Sequence, residues 1–213
     1  MDNKSRTSNT LRNLKVGLIM QILGYALSFV NRTVFVYVIG MTYLGVNSLF
    51  TNILMILSFT EAGAEAAFSS LLYRPLRDGN KRAVAMIMNA FRKTFAVIGG
   101  IVAVIGISII PFLDYLISDE AKQVENIVLV YLLFLSGSVV NYIFTYKISL
   151  IKADQKTYII SIYDEIIAIA QYALQIAVVA IWHNFVLYVA VQMGLQILRN
   201  ILLSRKSSKM YPY

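Results

Sequence analysis

Six apolar blocks, at residues 14–39, 46–72, 94–116, 127–151, 157–182 and 184–203, dominate the chain. Crossing a bilayer as a helix takes about 20 apolar residues, and every block reaches that length. A backbone in lipid must satisfy its own polar groups, so each block is expected to be helical. The expected fold is all-α: a polytopic membrane protein in which residues 1–213 form a single bundle of six transmembrane helices. The tightest junction is the last, where Trp182, His183 and Asn184 alone separate two spans. Composition agrees. Of the 213 residues, 58% are hydrophobic and 14% charged, against about 25% charged in an ordinary soluble domain. The excess argues against a soluble globule, and a disordered chain would be far less hydrophobic. The first block is too long for a signal-peptide core and no small-residue cleavage site follows it, so it reads as a retained helix.

The basic residues orient the bundle. They cluster before the first block, between the second and third, between the fourth and fifth, and after the sixth. The connection between the third and fourth blocks carries Asp114, Asp119, Glu120 and Glu125 against Lys122 alone. With six crossings, all but Arg32 and Lys122 of the 19 basic residues fall on one side. The positive-inside rule makes that side cytoplasmic, both termini included, in the inner (cytoplasmic) membrane. The net charge of +8 is thereby explained by topology, and no nucleic acid partner is expected. Membrane lipids are expected partners, and residues 74–82 are basic enough for acidic headgroups. Residues 83–91 read as the interfacial start of the third helix.

Enzyme chemistry finds little to work with. Cysteine is absent, His183 is the single histidine and falls in a loop, and no GxxxxGK[ST] phosphate loop occurs. Glu61 and Glu65, one helical turn apart, are a weak metal signal. The chain is not expected to be an enzyme, and neither a metal nor another cofactor is expected.

The spans are not plain anchors. Residues three and four apart share a helix face, and five spans carry a polar stripe at that spacing. The first has Gln21, Tyr25, Ser28 and Arg32; the second has Thr51, Ser58, Glu61, Glu65 and Ser69. The fourth has Ser138, Tyr142, Thr145 and Ser149. The fifth has Tyr158, Ser161, Glu165, Tyr172 and Gln175, with Asp164 and Gln171 alongside; the sixth has Tyr188, Gln192, Gln196 and Arg199. The third span has none and is expected to face lipid over much of its surface. Such stripes either glue helices together or line a wet cavity. A charge at bilayer depth costs at least about 2.5–3.5 kcal/mol and normally points to a cavity or partner, which favours the cavity. For Arg32 the alternative is snorkelling to the interface; for Asp164 and Glu165 it is a structural pair with Lys147; for Glu61 it is a packing contact.

One stretch is more specific. Asn31-Arg32-Thr33-Val34-Phe35, then Tyr43-Leu44-Gly45-Val46-Asn47-Ser48-Leu49-Phe50-Thr51-Asn52-Ile53-Leu54, then Ser58, Glu61-Ala62-Gly63 and Tyr73-Arg74-Pro75-Leu76 resemble the polysaccharide repeat-unit flippases. These O-antigen and capsule exporters belong to the multidrug/oligosaccharidyl-lipid/polysaccharide exporter superfamily. The remaining spans resemble the family in layout and loop charge. The resemblance covers the first half of such a protein, whose fold pairs two six-helix lobes around a central cavity. It implies flipping of an undecaprenyl-pyrophosphate-linked oligosaccharide by alternating access, coupled to an ion. It makes Arg32 the candidate holder of the pyrophosphate, because a guanidinium grips phosphate bidentately.

Gln21, Tyr25, Ser28 and Ser58 are the further candidate substrate-binding residues. Glu61, Glu65, Asp164 and Glu165 are candidates for ion coupling. Glu65 departs from the family pattern, which often has a small residue there. Six helices cannot enclose a two-lobe cavity, so a C-terminal lobe or a second chain is an expected partner. The rival readings are a cation-coupled multidrug or small-solute antiporter and a non-transporting membrane scaffold.

Overall fold

The structure is a computed structural model that describes the backbone of residues 3–212 and the side chains of residues 18–19, 21–58 and 63–212. Among these the chain is all-helical, with no strand. Six long helices run antiparallel in sequence order: α1 (Asn3–Val38), α2 (Met41–Arg77), α3 (Lys81–Ile109), α5 (Ile127–Ala153), α6 (Thr157–Trp182) and α7 (Phe185–Met210). The connection between α3 and α5 holds the short helix α4 (Leu113–Leu116), flanked by 3-10 turns at Ile110–Phe112 and Ala121–Gln123. Among the described residues five helical stretches are long and apolar enough to cross a membrane: Met41–Ser58, Lys81–Leu116, Ile127–Ala153, Thr157–Trp182 and Phe185–Met210. The protein is membrane-embedded on this evidence. Helix α1 adds a further 36 residues, part of whose side chains fall outside the described set.

The helices outrun the apolar blocks because nothing in the flanking segments breaks them. α2 continues through Pro75, which sits near its end, to Arg77. It stops where Gly79 adopts the left-handed conformation (φ +66°), which glycine reaches without a Cβ penalty. Asn80 Oδ1 then accepts a hydrogen bond from Ala83 N (3.0 Å) and starts α3, as an N-cap asparagine does. Residues 83–91 are therefore one helix with the third span. At the α6–α7 turn, Asn184 Oδ1 accepts from Leu187 N (2.9 Å), and His183 is an exposed, left-handed terminator.

Helix α5 is the centre of the bundle. It packs on α7, α3 and α2, while α1 packs on α6 and α6 on α7. α1 and α2 share a two-residue turn and touch little beyond it. α3 buries the single face Val84, Met88, Phe91, Phe95, Gly99, Val102 and Gly106. Close approach to α5 depends on two of these glycines. A Cβ at Gly99 would stand 3.0 Å from Tyr142 Cβ, and one at Gly106 would enter the Leu135 side chain. Beyond Lys93, α3 also carries exposed apolar side chains (Val97, Ile101, Val104, Ile105), the surface expected to face lipid.

Aromatic side chains fill the bundle. Phe68, Phe91, Phe95 and Tyr142 follow one another at ring separations of 4.5, 4.6 and 6.3 Å. Towards the turn joining α1 and α2, Phe35 packs on Tyr188 (4.6 Å) and Phe50 on Tyr131 (5.2 Å). Two ends are thus distinguishable. One, here the basic end, carries the 78–80 and 154–156 turns and most of the described lysines and arginines. The opposite end carries the acidic 110–126 connection.

Candidate functional site

The polar stripes of α6 and α7 come together. Tyr188, Gln192, Gln196 and Arg199 lie along one face of α7, opposite Asp164, Ala168, Gln171 and Gln175 on α6. Asp164, Ile167, Ala168, Gln171, Gln192, Gln196 and Arg199 line an open groove of about 320 Å³. At about 1.5 Å per residue the α7 wall from Gln192 to Arg199 runs roughly 10 Å. Five of these seven lining residues are polar or charged, in helices whose other faces are apolar.

The groove is closed at one end by a buried amide cluster and at the other by an ion pair. Towards the acidic-loop end, Asn31 Nδ2 on α1 donates to Gln175 Oε1 (3.1 Å) and to Tyr188 Oη (3.0 Å). Gln175 Nε2 donates to Tyr188 O (3.4 Å) and Gln192 Oε1 (3.5 Å), and Gln171 Nε2 to Gln175 Oε1 (3.4 Å). Three helices are joined through side chains that lipid could not satisfy. Towards the basic end, Arg199 Nε donates to Asp164 Oδ1 at 2.6 Å. Arg199 Nη1 reaches Asn200 Oδ1 (3.0 Å), and Asn200 Nδ2 reaches Asn141 Oδ1 on α5 (3.1 Å). The side chains of Arg199 and Asp164 are 25% and 44% exposed. A pair that open is worth about 0–1 kcal/mol where water reaches it. Its larger effect is to avoid an unpaired charge at bilayer depth.

A second polar node joins α2 to α5. Glu65 Oε1 accepts from Ser149 Oγ (2.6 Å) and from Lys152 Nζ (2.7 Å). Ser58 donates to Leu54 O (3.0 Å) and accepts from Tyr142 Oη at 3.5 Å. Ser58 is therefore a packing contact between α2 and α5, on the far side of the bundle from the α1 stripe.

The predicted site residues do not converge on one cavity. Gln21 Nε2 donates to Tyr25 Oη (3.1 Å) on an exposed face of α1. Arg32 is exposed on that face, Ser28 half-buried at its edge, and Arg32 has no ion pair among the described residues. The carboxylates divide between partners. Glu65 belongs to the α2–α5 node and Asp164 to the α6–α7 groove. Glu165 is half-buried, with Oε2 3.0 Å from where a Cβ on Gly24 would stand. The glycine makes room for that carboxylate between α1 and α6. The side chain of Glu61 lies outside the described residues. Lys147, the expected alternative partner of Asp164 and Glu165, instead donates to Ser208 Oγ (2.8 Å); Arg199 takes its place at Asp164. Among the described residues no group of three or more His, Asp or Glu side chains could hold a metal.

Asn31, Asn141 and Asn200 were missed by stripe counting, although each connects two or more helices. Asn31 has a local signal: it is seven residues after Gly24 and four before Phe35, and all three form the buried face of α1. Asn141 is three residues after Ser138 and four before Thr145, and Asn200 four after Gln196 and four before Ser204, so helical spacing did offer both; that they pair with each other across α5 and α7 is visible only in the structure.

Searches against protein-family models, curated proteins and solved structures find no match to this chain.

Proposed function

We propose that the protein is a membrane transporter, one lobe of a flippase that carries an undecaprenyl-pyrophosphate-linked oligosaccharide repeat unit across the cytoplasmic membrane. It would serve O-antigen or capsule polysaccharide biosynthesis by alternating access, with both termini cytoplasmic. The observation that carries the reading is the open α6–α7 groove. Amide side chains offer donors and acceptors to sugar hydroxyls without a fixed charge. A structure built only to pack helices gains nothing from leaving Gln192 and Gln196 beside open space. The sequence resemblance over Asn31–Leu76 supports the same assignment.

The exposed polar face of α1 bears on the partner. Arg32, Gln21 and Tyr25 lie uncovered along a membrane helix, where a charge facing lipid is costly. A second six-helix lobe, as a continuation of the chain or another subunit, would cover that face and complete a cavity. Arg32 would then meet the lipid pyrophosphate with its guanidinium unneutralised by any described carboxylate. The pairing of Glu65 with Lys152 and of Asp164 with Arg199 weighs against both as free ion-coupling sites. Glu165, which has no ion pair among the described residues, is the better candidate, and the antiporter reading rests on it.

The test is repeat-unit translocation by the complete protein. Arg32→Ala is expected to cut it by about tenfold or more, as loss of a charge-assisted hydrogen bond would, and Arg32→Lys to restore part of it. Gln192→Leu combined with Gln196→Leu should reduce it without lowering the amount of protein in the membrane. Unchanged export in Arg32→Ala rejects the pyrophosphate role; unchanged export in the glutamine double variant rejects the groove as the sugar path.

A further inference from the structure

A separate cavity of about 410 Å³ opens at the basic end, between α3, α5 and the last turn of α7. Two cations line it, Arg92 from α3 and Lys147 from α5. Neither has an ion-pair partner among the described residues. Arg92 Nη2 donates to Asn89 Oδ1 at 3.4 Å and Lys147 Nζ to Ser208 Oγ at 2.8 Å, both neutral groups. The lining is pinned from below, because Ser207 Oγ donates to Lys147 O (2.7 Å) and fastens the end of α7 to α5. Asp154 touches the lining through Tyr211 Oη (2.5 Å), but it is already paired with Lys156 at 2.6 Å. Two like charges share a cavity with neutral hydrogen-bonding groups and, among the described residues, no carboxylate free to neutralise them. An anion with several acceptor oxygens suits such a site.

The other wall is apolar, formed by Met88 and Leu150, and the surface leading away from it is apolar apart from Ser136, whose hydroxyl donates back to Leu133 O. Ile143, one turn back along α5 from Lys147, is 58% exposed, and Leu132 is exposed further along the same stripe. We propose that this cavity binds the phosphate of an anionic membrane phospholipid, with an acyl chain running along α5 between α3 and α7. Free phosphate shares the headgroup chemistry but has no use for the apolar track, which favours the lipid. Basic pockets between membrane helices on the cytoplasmic side are a recurrent headgroup chemistry. The two nearby arginines of the 74–82 segment are not equivalent, since Arg74 and Arg77 both lie against Asp78, at 3.6 and 3.2 Å.

The test uses the full chain, purified in mild detergent with phosphatidylglycerol or phosphatidylcholine, and counts retained lipid by native mass spectrometry. The wild type should retain phosphatidylglycerol over phosphatidylcholine by about tenfold or more, given what two basic residues contribute at an anionic surface. Arg92→Gln with Lys147→Gln should abolish the preference, and Arg74→Gln with Arg77→Gln, which removes the same charge, should keep it. Ser208→Asp, which supplies Lys147 with a carboxylate, is the second variant should the first fail to fold, and it too should lose the preference. Equal retention by the wild type and the Arg92/Lys147 variant overturns the site. Displacement of phosphatidylglycerol by millimolar inorganic phosphate overturns its assignment to a lipid. The readout does not involve translocation, so it stands or falls independently of the transporter reading.

Discussion

The α3–α5 contact and the α6–α7 contact are built by opposite means. Between α3 and α5 the helices close on each other through Gly99 and Gly106, and aromatic rings fill what remains. The hydrogen bond from Tyr131 Oη to Gly106 O (2.9 Å) is the main polar feature there. Between α6 and α7 the seam is held by amides and an ion pair, and part of it is left open. α6 buries only Ile159, Ile160, Gln175 and Val179. In lipid there is no hydrophobic drive between helices, so close packing must come from small residues and shape. A polar seam with open volume forgoes that packing. The first contact serves the integrity of the bundle, and the second keeps a surface that water or a polar ligand can enter.

The comparison breaks most directly on the packed side. Gly106→Val drives a branched side chain into Leu135 and should lower stability by about 1–3 kcal/mol, seen as a lower thermal midpoint of the purified protein. Gly100→Val, where a Cβ meets nothing within 4 Å, should stay within about 0.5 kcal/mol of the wild type. Equal effects would mean that the α3–α5 approach is not what holds that side.

A smaller but sharper test asks what each exposed surface faces. The chain has no native cysteine, so single cysteines report cleanly. Gln196→Cys in the groove should react with a membrane-impermeant maleimide in open membrane fragments, which give access from both faces. Ile101→Cys, 54% exposed in the native side chain on α3, should not react, because lipid covers it. Labelling at Ile101, or protection at Gln196, would reverse the roles assigned to the two sides.

The smallest effect concerns the ends. Burial disfavours the charged form of Asp154, but hydrogen bonds from Lys156 and Tyr211 outweigh it and hold the carboxyl below its ordinary value of 3.8. A carboxyl lowered on folding adds stability above its unfolded pKa and loses it as pH falls through the folded one. Asp154→Asn should therefore cost a modest part of the thermal midpoint at neutral pH, with the difference from wild type vanishing in strong acid. Asp119, itself fully exposed and lowered by its hydrogen bond to Lys122, should show no comparable cost when changed to Asn. A pH-independent deficit in Asp154→Asn would assign its effect to packing.

Much of the bundle was legible in the chain. Block length and the cost of an unpaired backbone in lipid led to long helices, and loop charge separated a basic end from an acidic one. The junction at Trp182, His183 and Asn184 marked a turn that the structure has, whereas the stop at Gly79 and Asn80 was not read from the sequence. The stripe on α7, read from Tyr188 to Arg199, is one wall of the groove. Local pattern reveals which residues share a helix face, because that follows from 3.6 residues per turn. It does not reveal which faces meet. Only the tertiary structure gave Asp164 to Arg199 rather than Lys147, sent Ser58 to Tyr142, separated Glu65 from Asp164, and put Asn31 between Gln175 and Tyr188. Those outcomes depend on how six cylinders are ordered and rotated about one another, and that is decided by side-chain shape summed over the whole bundle.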